Sequence, residues 1–82
     1  MISGSQVRAA RALIGWTVHE LARRSVVSIG TVHMIEGSDG LPSTSRKHLD
    51  AIQATLEEAG IEFLDGEAPG VRLHPKPSKR KR

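Results

Sequence analysis

Apolar residues recur at helical spacing through the first sixty positions, in four runs separated by short polar or glycine-containing breaks. In the first run Val7, Ala10, Leu13 and Ile14 face inward. Ser3-x-x-Gln6 opens it as a capping box, with Ile2 and Val7 as a hydrophobic staple. Gly15 ends it in the usual position after a helix. A second helix begins at Thr17, where Thr17-x-x-Glu20 is another capping box: hydroxyl and carboxylate each satisfy an orphan backbone donor. Trp16 and Leu21 form its staple. Ser28 caps a third helix, with Val27 and Val32 in the staple positions and Gly37 at its close. Leu21, Ala22, Val27, Val32 and Ile35 supply the seam between these two helices, and small Ala22 allows close approach. The outer face of the third helix is left uncovered.

SDGLPSTS, residues 38–45, reads as a loop. Ser45 then caps a fourth helix running to about Ala59, ended by Gly60. Leu49, Ile52 and Leu56 give it one apolar stripe, expected to close the core against the first helix. After Gly60 the period changes. Ile61–Leu64 and Val71–Leu73 are strand-like runs flanking turn residues 65–70, which predicts a β-hairpin. A lone hairpin is marginal in water, so it should pack on the helices or pair with a second subunit. The expected layout is a helical domain over residues 1–60, a hairpin extension over 61–74 and a basic disordered tail over 75–82.

Eighty-two residues bury only about 60% of their unfolded surface, and with no cysteine the core must hold the fold without disulfides or a cysteine metal site. No apolar run reaches the roughly 20 residues of a membrane span, and no signal-peptide stretch is present, so a cytoplasmic location is expected. One Trp and one Phe argue against a base-stacking surface for single strands. Charge is divided along the chain: +3 over residues 1–47, −5 over 48–74 and +5 over 75–82. That arrangement suits an N-terminal half facing phosphate and an acidic side turned away.

Two short helices joined by a tight turn, with the outer face of the second free, form a unit that can enter a DNA major groove. The residues that build it resemble the Cro/cI-type (XRE, lambda-repressor-like) helix-turn-helix family over roughly residues 3–60. The resemblance rests on RAAR-x-x-x-GW (Arg8 to Trp16), T-x-x-ELA (Thr17 to Ala22) and VS-x-x-TV-x-x-IEG (Val27 to Gly37) at matching separations. Ala59 to Leu73 also looks like an ending found on small bacterial and phage members. The resemblance implies a compact four- or five-helix domain, double-stranded DNA as partner, and regulation of transcription as a repressor-like homodimer, nucleoid-associated when bound.

By that resemblance Ile29, Gly30, His33 and Met34 face the groove, flanked by Ser28 and Thr31, while Thr17 and Val18 sit beside phosphate at a helix N-terminus. Arg46 and Lys47 join them, because cations opening a helix run against its dipole and so favour a phosphate role. Arg11 and Glu36 match an internal salt bridge of structural importance. Many members carry Gln where Val18 stands, and Gly where Val26 stands; this turn either avoids a left-handed backbone or tolerates strain. The reading positions hold Ile, Gly, His and Met, so direct readout reduces to apolar contact with thymine methyls, and DNA shape carries more of the specificity.

The four histidines lack metal-ligand spacing, and no nucleophile-and-base set or glycine-rich phosphate loop is present, so no metal, cofactor or enzymatic activity is expected. Arg23 and Arg24 suit a helix C-terminus. The tail run Lys76 to Arg82 is expected to add non-specific affinity for DNA. The alternative is a protein-interaction module of the same fold, such as an antitoxin, in which Val18, Ile29 and Met34 form an exposed patch for a partner such as a toxin.

Overall fold

Four hydroxyls set four helix starts. Ser3 Oγ accepts from the Gln6 N–H (3.2 Å), Thr17 Oγ1 from Glu20 (3.0 Å), Ser28 Oγ from Thr31 (3.0 Å) and Ser45 Oγ from His48 (3.3 Å). In the computed structural model, which describes residues 2–39 and 44–75, they open α1 (Gly4–Ile14), α2 (Val18–Ser25), α3 (Ile29–Glu36) and α4 (Arg46–Glu58). Strands β1 (Ile61–Leu64) and β2 (Gly70–Leu73) follow as an antiparallel hairpin, with Ile61 opposite Leu73 and Leu64 opposite Gly70. The fold is therefore mainly helical with a short two-stranded hairpin, and four helices are present among the described residues. The middle of the loop between α3 and α4, and the tail from Lys76 onward that was expected to be disordered, lie outside the described residues.

Ser3 and Gln6 make the full reciprocal box, since Gln6 Oε1 also accepts from the Ser3 N–H at 2.9 Å. At Thr17 only half of the expected box forms. The Glu20 carboxylate turns away from the backbone to Arg23 (2.7 Å) and Arg24, which lie three and four residues along the same helix. Two guanidinium donors attract it more strongly than one neutral N–H.

Val7 and Ala10 of α1, Leu21 of α2, Val32 and Ile35 of α3 and the Leu49–Ile52–Leu56 stripe of α4 are all buried in one core. α4 lies chiefly against α2 and only lightly against α1, a correction to the expected packing. The hairpin takes that place instead: β2 lies along α1, and Ile61 is buried with the helical core. Gln6 fastens it there. The two amide hydrogens of Gln6 are donated to the Leu64 and Gly70 carbonyls, each at 3.0 Å, at the last rung of the hairpin. Leu13 is a second correction. It stays 48% exposed, because the last turn of α1 opens onto a shallow groove shared with Ala59, Leu73 and His74.

Gly4 marks a close approach between two helices. A Cβ there would stand 1.9 Å from the Ser38 carbonyl oxygen and 2.1 Å from that of Ile35, so α1 begins pressed against the end of α3.

Candidate nucleic-acid interface

The turn from α2 to α3 fixes how the third helix is presented. Val26 closes α2 with a left-handed backbone (φ 58°, ψ 46°), the one non-glycine residue with positive φ among those described. Its N–H donates to the Arg23 carbonyl, and the Val27 N–H donates to Ala22 at 3.1 Å, so the chain reverses within a few residues. Of the two conformations left open for this turn, the strained one is adopted. The Val26 side chain is 88% exposed and contributes little packing in return.

The far end of α3 is tied to α1. Arg11 donates Nε to Glu36 Oε2 (2.8 Å) and Nη2 to Glu36 Oε1 (3.0 Å), a bidentate pair, and Nη1 to the Trp16 carbonyl (2.9 Å). The hydrogen bond with Glu36 raises the Arg11 pKa above its ordinary value. Arg8 donates to the Glu36 carbonyl and pairs with Asp39 at 2.8 Å, satisfying a carbonyl that the helix itself leaves orphaned. The Arg11 guanidinium therefore links α1, the α1–α2 turn and the last turn of α3. The expected Arg11–Glu36 bridge is present; the anchoring by Arg8 was not foreseen, because its partners lie 28 and 31 residues away.

Held at both ends, α3 buries Val32, Ile35 and Glu36 and leaves Ile29, Gly30, His33 and Met34 exposed. At 3.6 residues per turn these four occupy an arc of about 140°, with Gly30 and His33 near its centre and Ile29 and Met34 at its margins. Ile29 is 39% and Met34 55% exposed. Ser28 is exposed and Thr31 half-buried, and their hydroxyls bond each other at 2.9 Å. Thr17, at the start of α2, is exposed, with its hydroxyl engaged in the cap. Val18 is half-buried against the core, which removes it from the exposed apolar patch expected in the protein-interaction alternative.

Arg46 and Lys47 are exposed on the first turn of α4, and Arg46 Nε stands 3.7 Å from Asp50. The candidate residues thus fall on three elements. Among the described residues no hydrogen bond or ion pair joins α2's N-terminus, the arc of α3 and the start of α4 to one another.

Charge on this half of the molecule is arranged so that no acid stands alone. Glu20 pairs with Arg23 and Arg24, Glu36 with Arg11 and Asp39 with Arg8. Hydrogen bonds from Arg24 and Arg23 hold the Glu20 carboxyl below its ordinary value. Arg24 also lies 4.7 Å from the Trp16 ring centroid. The three acids of residues 1–47 are thus matched by Arg8, Arg11, Arg23 and Arg24, and the stretch carries +3 overall, part of it met by Asp50 beside Arg46. Among the described residues no cluster of His, Asp or Glu could hold a metal ion, and no helix is long and apolar enough to cross a membrane. Neither a protein-family model nor a curated protein sequence matches the chain.

Proposed function

We propose that this chain is a small DNA-binding regulator of transcription, lambda-repressor-like in architecture, that inserts α3 into the major groove of duplex DNA and acts as a homodimer. The observation that carries this reading is α3 itself. Its inner face is locked to the core and to Arg8 and Arg11, while its outer arc is bare and free of carboxylates. A helix held this way can approach a groove as a rigid element. The net positive charge of residues 1–47 suits the phosphate flanks, and the tail from Lys76 adds non-specific attraction. Selection of bound sequences from a random duplex library, with full-length protein at moderate salt, tests it. An enriched palindrome with half-sites about one helical turn apart supports a regulator that binds as a dimer. Failure to retain any duplex rejects the proposal.

A second reading, a protein-interaction module of antitoxin type, is favoured by the exposure of Val26, Ile29 and Met34 along one stretch of chain. Titration with bulk duplex DNA at low salt separates the two, since an interaction module without DNA binding leaves the duplex free.

A further inference from the structure

Resting on the DNA-binding reading, we infer that the arc of α3 selects its duplex through the C5-methyl group of thymine, seated in the notch that Gly30 leaves between Ile29, His33 and Met34. The side chains decide the chemistry. Ser28 and Thr31 spend their hydroxyls on each other and on the helix cap, so the first turn offers little polar readout. The margins of the arc are the apolar Ile29 and Met34.

Gly30 supplies the space. A Cβ built there meets only Ser28 Oγ, at 3.9 Å, so the position is an open gap in the helix surface. His33 and Met34, three and four residues on, are its neighbours on that surface. Thymine alone among the four bases projects an apolar group into the major groove. A methyl entering the gap reaches the backbone of α3 and the apolar flank of Met34, while the net positive charge of residues 1–47 favours the phosphate backbone. Burying one methyl changes affinity by about fourfold.

The test uses the full chain and random-sequence duplex pools synthesised with thymine or with uracil, which lacks only that methyl. The motif enriched from the thymine pool should lose about fourfold or more in affinity when its thymines are replaced by uracil. It should recover with 5-bromouracil, whose bromine is close to a methyl in size. Gly30→Ala, which fills the notch without a clash, should bind thymine and uracil forms alike. Equal binding of the two forms by the wild-type chain overturns the inference while leaving DNA binding intact. A thymine preference that survives in Gly30→Ala also overturns it, because the methyl is then read elsewhere. If neither pool yields a bound duplex, the DNA-binding reading itself falls, a result distinct from the other two.

Discussion

Replacing Val26 with glycine should make the protein more stable, against the usual direction of glycine substitutions. Val26 holds φ 58° and ψ 46°, a conformation that costs an L-residue roughly 1–2 kcal/mol through the clash of Cβ with the following carbonyl. With the side chain 88% exposed, its removal loses little burial. Glycine adopts this backbone freely but adds about 0.5–1 kcal/mol of unfolded-state entropy to be lost on folding. The balance is a gain of about 1 kcal/mol or somewhat less, equivalent to a rise in Tm of roughly 4–8 °C per kcal/mol in a domain of this size. Val26→Ala keeps the Cβ and should gain less than Val26→Gly; Val26→Asn, which tolerates the left-handed region, should lie between them. Thermal and urea unfolding followed by circular dichroism would measure all three. A Tm for Val26→Gly at or below that of the wild type would show that the α2–α3 turn is not left-handed, and the presentation of α3 argued above would fall with it.

Gly4→Ala should lose about 1–3 kcal/mol or more, because its Cβ would overlap two backbone carbonyls that have no rotamer in which to yield; unchanged urea unfolding would remove the close α1–α3 approach. Arg11→Met should destabilise by about 3 kcal/mol by leaving the buried Glu36 carboxylate unpaired, and adding Glu36→Leu should recover much of that loss; a double-mutant cycle showing no coupling would mean the pair is incidental. The lowered Glu20 pKa sets a sign. Its contribution is present above the unfolded-state value and is lost as pH falls through the lower folded-state value, so the effect lies on the acid side. Carboxyl NMR titration should show the Glu20 midpoint rising in Arg23→Ala/Arg24→Ala, and an unmoved midpoint would contradict the pairing.

Local chemistry was readable from the chain because its causes are local. Ser3, Ser28 and Ser45 lie three residues before the N–H groups they cap, and Leu49, Ile52 and Leu56 repeat at the period of the helix they bury. The Arg11–Glu36 bridge, a long-range contact, was accessible only through a resemblance to other chains. What escaped depends on how elements meet. Gln6 is read correctly as a capping residue, yet its amide also holds carbonyls 58 and 64 residues away. Periodicity identifies the face of α1 on which Leu13 lies, without showing how far along the helix its cover extends. The first turn of α2 departs from the capping box for a local reason: Glu20 has arginines at the third and fourth following positions, a spacing that favours side-chain pairing over the backbone. Glycine at the first position of α1 was the available sign of a close approach, since nothing about helix initiation calls for it there.

The central claim is that the outer arc of α3 is the surface that meets DNA. Adding a short random-sequence duplex at low salt to ¹⁵N-labelled full-length protein, and following amide shifts by NMR, tests it most directly. The account predicts that the largest changes fall on Ile29, Gly30, His33 and Met34, with smaller ones at Thr17 and at Arg46 and Lys47. Shifts confined to the hairpin and the acidic side of α4, or no shifts at all, would contradict it.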